Sequence, residues 1–533
     1  MSGAIHVSFQ RREQIMKMSL YRTMVISVFS CLLLLLVLPF TTLPIAAASP
    51  ASSPDVAKIK AFLTSEIQAN RLPGLALGLV HDTQIVSLQS FGEASQGRPV
   101  TPQTLFLLAS LTKSFTALAI LQLVEAGKVA LDAPVQRYLP WFRLADPAAS
   151  AQITVRQLLH MTSGLPASSP RVTTTETIEQ FVRALSTVAP DRAVGASFEY
   201  APSGYVILGL IVQTVSRQAY AAYIQQHIFA PLQMHHSFAS LQQAQQNDLA
   251  QGHEWLFGVP VPTDDSDLHL PAVLGAGGLF SSVEDMSHYL IAQMNTGRYG
   301  EAAVLSASGI AAMHAPAVPN PTSGPPFGPG TAYGMGWHIG PIAGVPTIWH
   351  DGVSSGYHSL MLIEPQNHWG AILLVNADTT VPSTGNGDTF FYEFYAGLAR
   401  LLAGEEPPTA GLSLSTFYLL ADGFILLISA FVLWSLLRLP RWYKRFGQRP
   451  HYRHMVVPLV RELLLPLILF LGLPFVVGSW SDLLFSYPDL GWWLLATLAC
   501  LLLTGISRGT LTFLVLRRTD ASTRLAKARP HLT

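Results

Sequence analysis

Hydrophobic and polar positions along this 533-residue chain fall into two regimes. Between residues 75 and 376 short apolar stretches alternate with polar ones, whereas Met24–Phe40, Leu414–Leu437, Leu463–Trp480 and Leu490–Ile506 are long runs nearly free of charge. In the first regime, Leu75–Val80 and Gln84–Phe91 flank His81-Asp82-Thr83 and predict a β-hairpin. Ala109–Ala126 predicts a helix stopped by Gly127, with further helices at 154–161, 176–187, 203–227 and 283–295. Late strands are predicted at 333–339, 346–350, 357–363 and 370–376. Strands at both ends of a helical middle predict an α+β domain whose sheet closes between its terminal segments. Pro316–Gly330, rich in proline and glycine, reads as a surface loop, and no internal repeat is visible.

The long runs read as membrane segments. At about 1.5 Å per residue, each run after residue 410 is long enough to cross roughly 30 Å of hydrocarbon, giving three transmembrane helices. Six bases from Arg438 to Arg453 separate the first two, and Arg517, Arg518, Arg524, Lys527 and Arg529 follow the third, whose apolar character extends past Arg508 to Leu516. Positive-inside counting puts that loop and the tail in the cytoplasm and residues 51–410 outside it. Near the N-terminus, Arg11, Arg12, Lys17 and Arg22 precede Met24–Phe40, and Ala46-Ala47-Ala48 follows, the order of a secretory signal or an uncleaved anchor. The expected division is therefore 1–49 as leader or anchor, 50–405 as an extracytoplasmic domain, and 406–533 as a membrane region. The setting is a bacterial-type cell membrane, crossed several times. Asp422 lies about two turns inside the first run and reads as an interfacial residue without a role.

Charge supports the same division. The chain is only 12% charged, with 32 bases and 32 acids. Residues 51–405 hold 25 acids and 15 bases, net −10, leaving 7 acids and 17 bases, net +10, for the remainder. That distribution excludes a nucleic-acid partner and points to the bilayer as a partner, while the motifs below add a small-molecule or peptide substrate. The only cysteines, Cys31 and Cys500, lie in apolar runs, so the outer domain is held without disulfides.

One lysine demands a reason. Between Arg98 and Glu125 the only charged side chain is Lys113, set in the apolar Leu107–Ile120 segment. Burial lowers a lysine pKa toward that of a useful base, and Ser110 lies three residues earlier on the same helical face. Of the seven lysines, only Lys113 has a serine at that spacing. Ser-x-x-Lys is a nucleophile with its base, although the pattern alone is short and a snorkelling surface lysine would also produce it. A rival, Gly352-Val353-Ser354-Ser355-Gly356, matches the G-x-S-x-G elbow, but Tyr357–Ile363 beyond it alternates like a strand where the elbow needs a helix. His235-His236 and His253-Glu254 lack zinc-site spacing and read as loop residues, so neither metal nor cofactor is expected.

From about 75 to 380 the chain resembles the serine β-lactamases of class C and their relatives among D-alanyl-D-alanine peptidases and esterases. Ala109-Ser110-Leu-Thr-Lys113 resembles the first family motif, and Ile153–Leu165, Gly275–Leu279 with Asp285, and Tyr333–Trp337 resemble further segments. The resemblance implies an antiparallel sheet flanked by helices plus an all-helical subdomain. It implies Tyr200 as proton relay with Lys113, and places His350-Asp351-Gly352 at the third motif, with His350 holding substrate, Gly352 leaving room for it, and the Ser110 and Val353 amides forming an oxyanion hole. Two positions depart from the pattern. Pro202 stands where the family has an amide-bearing asparagine, and histidine replaces a lysine that would hold a carboxylate firmly, which together favour esters or peptides over penicillin-like acids. The resemblance thus implies acyl transfer through Ser110 on an ester, amide or peptide; the alternative is a catalytically silent ligand-binding or sensing domain coupled to the membrane helices.

Overall fold

A computed structural model describes residues 54–167, 177–264, 271–320, 330–379, 390–408, 411–448, 460–472, 480, 483–484 and 488–527. The leader, most of the predicted 316–330 loop, and parts of the basic loop and tail lie outside these residues.

Central strands form where the alternation predicted them, and Arg98–Pro99 and Val318–Pro319, the latter inside the stretch read as a loop, add short outer strands to the sheet. Its strands are β1 (Gly74–His81), β2 (Gln84–Ser95), β3 (Arg98–Pro99), β4 (Val318–Pro319), β5 (Ala332–Tyr333), β6 (His338–Ile342), β7 (Val345–Ser354), β8 (Tyr357–Glu364) and β9 (Trp369–Val375). They form one nine-stranded antiparallel sheet in the order β4-β5-β6-β7-β8-β9-β1-β2-β3. The terminal segments meet in its centre, Leu75 opposite Val375 and His81 opposite Trp369. The central strands are apolar on both faces because both faces are covered. Leu75, Leu77 and Leu79, with Leu360, Leu362 and Leu373, pack against helices α1 (Val56–Asn70) and α5 (Phe390–Leu402). Ala76, Met361, Ile372 and Leu374 face a larger core containing α2 (Thr112–Glu125), α3 (Pro202–Ser216) and α4 (Val283–Met294). Gly78 permits this approach, since a Cβ there would stand 2.5 Å from Ser287 Oγ on α4.

Local departures from the sequence reading have local causes. The helix expected over 203–227 breaks at Arg217, which adopts φ +59°, and resumes at Tyr220–Ile224. The strand expected over 333–339 is interrupted because Gly336, at φ +77°, presses against the Ser114 backbone at 2.8 Å from where a Cβ would sit. Helices α1 and α5 were not expected. His253-Glu254, read as loop residues, open a small hairpin, His253–Leu256 against Val259–Pro262.

The membrane region needs correction. Among the described residues two helices, not three, are long and apolar enough to cross a bilayer: α6 (Leu414–Leu437), and the Asp489–Arg518 part of α7 (Pro488–Lys527). The middle run forms helix only through Glu462–Gly472 among described residues, roughly 16 Å against the 30 Å required. Helix α7 continues through Arg508 because the guanidinium is paired: its Nε lies 2.8 Å from Glu462 Oε2, while Ser435 Oγ donates to Glu462 Oε1 at 2.8 Å. The hairpin reaches the starts of both helices. The Phe257 amide donates to the Asp489 carboxylate at 2.7 Å, and Gly258 lies against Tyr418.

Candidate active site

Ser110 sits in a single tight turn, Ala109–Leu111, that delivers the chain into α2. Ala109 has φ +46°, a conformation that costs a residue with a Cβ about 1–3 kcal/mol and is retained where the surroundings over-determine it. Lys113 follows on the first turn of α2 and is only 1% exposed. Its Nζ donates to Ser110 Oγ at 2.7 Å and to the Ala276 carbonyl at 2.9 Å. Burial lowers the ammonium from its ordinary 10.5 to about 7, against the opposing pull of the Asp351 carboxylate. The Tyr200 hydroxyl donates to the same Ser110 Oγ at 2.9 Å, and burial raises its pKa above the ordinary tyrosine value. Ser110 therefore lies between a lysine neutral in half its population near pH 7 and a phenol that stays protonated.

The segments singled out in the sequence are the scaffold of this arrangement. In Ile153–Leu165, the Met161 carbonyl accepts from the Glu199 amide at 2.9 Å, and Gly164, at φ +78°, lies against the Arg192 carbonyl, so the segment fixes the loop that presents Tyr200. Pro202 occupies the first turn of α3, where its missing amide costs nothing. Gly275 packs on Gly209 of α3, which brings the Ala276 carbonyl to Lys113. Asp285 accepts from the His236 amide at 2.6 Å and Ser237 Oγ at 2.7 Å, a structural clamp away from Ser110.

Strand β7 closes the other side. A Cβ on Gly352 would lie 2.2 Å from the Leu108 carbonyl and 3.1 Å from the Ser110 amide, so only glycine lets the strand pass this close. Val353, half exposed, follows on the free edge, because β6 pairs with β7 only as far as Trp349. His350 is fully enclosed. Its Nδ1–H donates to the Asp351 carbonyl at 2.6 Å and its Nε2 faces the Tyr333 hydroxyl at 3.1 Å. Burial holds its pKa well below the ordinary histidine value. The side chain of this motif that lines the cleft is Asp351, which sequence reasoning passed over; its alternation with His350 along a strand was the available signal. His338, also passed over, lines the same cleft, and burial lowers it to about 3.

The cleft encloses about 430 Å³ and includes Ser110, Phe198, Tyr200, His338, Asp351 and Tyr392 in its walls. A hollow of similar size, about 410 Å³, lies at the opposite end of α2 beside Gln122 and His227, so volume alone does not select the site. Gly352–Gly356 is the end of β7 and its turn into β8, with Ser354 opposite Tyr357; no helix follows, and the nucleophile-elbow reading fails. His338, His350 and Asp351 bring one potential ligand atom each within 4.8 Å of one another.

The family model described as Beta-lactamase matches residues 59–390. "Protein flp" of Staphylococcus aureus (strain MW2) is 27% identical over 329 residues, 60% of this chain and 63% of its own length, so the chain spans less than two thirds of that relative. "Penicillin-binding protein 4" of Amycolatopsis lactamdurans is 28% identical over 344 residues, 64% of this chain and 88% of its own. The structure of the octameric penicillin-binding protein homologue from Pyrococcus abyssi superposes with a TM-score of 0.57 at 28% identity, covering 67% of this chain and 79% of that one.

Proposed function

The chain belongs to the Beta-lactamase family, and we propose that it is a membrane-anchored serine hydrolase that cleaves an ester, amide or peptide outside the cytoplasm through an acyl-enzyme on Ser110. The observation that carries this reading is the placement of Ser110 Oγ between Lys113 Nζ at 2.7 Å and the Tyr200 hydroxyl at 2.9 Å. Neutral Lys113 takes the Ser110 proton as Oγ attacks the carbonyl carbon. The carbonyl oxygen becomes an oxyanion held by the Ser110 and Val353 amides, the donors that stand where β7 passes the nucleophile. Collapse of this intermediate expels the leaving group, which takes a proton relayed through Tyr200 and Lys113. Water then attacks the acyl-enzyme by the same path in reverse and frees Ser110.

The absence of the asparagine amide at Pro202 and of a lysine at position 350 favours esters and peptides over penicillin-like acids. Membrane anchoring rests on α6 and α7, and placement outside the cytoplasm rests on the bases from Arg438 to Arg453 and in the tail. Both spans begin beside the hydrolase domain through the Phe257–Asp489 bond and the Gly258–Tyr418 contact, so this orientation requires the chain between them to return across the bilayer. Labelling with a fluorophosphonate or penicillin probe is expected in the wild type and lost in Ser110→Ala. Equal labelling of the two would refute the nucleophile and favour a silent ligand-binding domain.

A further inference from the structure

The part of the cleft beyond Ser110 is lined by one carboxyl group, a buried imidazole and aromatic rings. Among the described residues that line it, Asp351 is the only one with a carboxyl group; burial raises its pKa above the ordinary carboxylate value, so a cation bound beside it would hold it ionised, and no lysine or arginine other than the half-neutral Lys113 approaches it. The nearest ring nitrogen to its carboxylate is His350 Nδ1 at 3.9 Å, already committed to the Asp351 carbonyl. Facing the same space, His338 is 7% exposed and its Nδ1 has no hydrogen-bond partner among the described residues. Leaving a buried ring nitrogen unpartnered is unfavourable, and a bound donor would remove that cost. Burial keeps this histidine neutral, and Nδ1 accepts from a bound donor when the ring proton is on Nε2. A carboxylate, a lone-pair nitrogen and the aromatic walls of Phe198, Tyr200 and Tyr392 match the needs of an ammonium, which has three donors and no acceptor and is drawn to ring faces.

A metal ion is the competing occupant, since His338, His350 and Asp351 cluster within 4.8 Å. It is disfavoured because His350 has no lone pair to give: Nδ1 carries the proton donated to the Asp351 carbonyl, and Nε2 is taken by the Tyr333 hydroxyl. Two remaining ligands fall short of the three or four protein ligands of a zinc site.

We infer that the substrate carries an ammonium group close to its scissile carbonyl, bound by Asp351 and His338. The inference rests on the hydrolase reading and names its substrate class. Asp351 and Val353 are two residues apart on β7, so the charge would sit within about 7 Å of the carbonyl.

The test compares two p-nitrophenyl esters of equal length, the β-alaninate and the butanoate, which differ by an ammonium in place of a methyl. Both are assayed near pH 7 with the full chain in detergent micelles and corrected for spontaneous hydrolysis. The ratio of kcat/KM, β-alaninate over butanoate, should be on the order of 10- to 100-fold, the value of one charge-assisted hydrogen-bonded contact. It should fall at least tenfold in Asp351→Asn and persist in Asp351→Glu and in the presence of EDTA. A ratio of one or less in the wild type, with butanoate turnover still lost in Ser110→Ala, overturns the inference and leaves the hydrolase reading standing. An unchanged ratio in Asp351→Asn, or collapse of the ratio on EDTA addition, overturns it too, the latter assigning the site to a metal. No Ser110-dependent turnover of either ester overturns the hydrolase reading and this inference with it.

Discussion

The pH dependence of acylation tests the assignment of the base most sharply. If Lys113 must be neutral to accept the Ser110 proton, kcat/KM for a neutral ester such as p-nitrophenyl butanoate follows the fraction of neutral Lys113. With the pKa lowered from 10.5 to about 7, roughly 70% of the enzyme holds the neutral amine at pH 7.4, against about 0.1% at the ordinary value. Burial of this one side chain is thus worth almost three orders of magnitude in competent enzyme. The profile should rise with unit slope below the midpoint, losing about tenfold per pH unit, and flatten above pH 8. Tyr200 as sole base predicts otherwise: its pKa lies above the ordinary tyrosine value, so the rise would continue past pH 10. The sign of the Asp351 effect follows from charge. A nearby carboxylate favours the ammonium and raises the Lys113 pKa, so Asp351→Asn should move the midpoint to lower pH. Stopped-flow or steady-state release of p-nitrophenol from pH 5 to 10.5 measures both profiles. A wild-type rise centred near 10 or above would refute lysine as the base. An Asp351→Asn midpoint displaced upward would refute the electrostatic account of its pKa.

Three further outcomes are expected. Tyr200→Phe removes the hydroxyl that donates to Ser110 and should lower kcat by about 10²-fold or more, while the thermal midpoint by scanning fluorimetry stays near that of the wild type. Gly352→Ala would place a Cβ 2.2 Å from the Leu108 carbonyl and 2.3 Å from Ser359 Oγ, so it should cost about 1–3 kcal/mol of stability, read as a lower thermal midpoint, and displace Ser110 enough to depress kcat/KM. Glu462→Leu strands the buried Arg508 guanidinium and should destabilise the micelle-solubilised chain by about 3–5 kcal/mol, with the double replacement Glu462→Leu and Arg508→Leu recovering most of the loss in thermal unfolding.

The pattern of apolar and polar positions was enough to place the sheet. Strands buried on both faces must read as nearly continuous apolar runs, and Leu75–Val80, Leu360–Ile363 and Ala371–Val375 do so, whichever helices cover them. Lys113 was legible for a related reason: a charge alone in an apolar stretch is costly, and Ser110 at helical spacing gave it a function. Helices α1 and α5 were harder, because their apolar faces acquire meaning only once the sheet they cover exists. The middle membrane run is helical among the described residues only over Glu462–Gly472, short of the bilayer, a length that hydropathy alone does not report. The partner that neutralises Arg508 within the last run, Glu462, lies 46 positions away, where no local pattern reports it.

Local energetics wrote the candidate nucleophile, its base and the alternating strands into the sequence, because burial, periodicity and backbone propensity act over a few residues. The tertiary structure alone decided which side chains converge on Ser110. Tyr200 lies 90 residues along the chain from it. Strand alternation turns Asp351 rather than His350 into the cleft. The unpartnered nitrogen of His338 exists only where β6 meets β7. Those are contacts between distant segments, fixed by sheet register and helix packing, and no local preference of the chain specifies them.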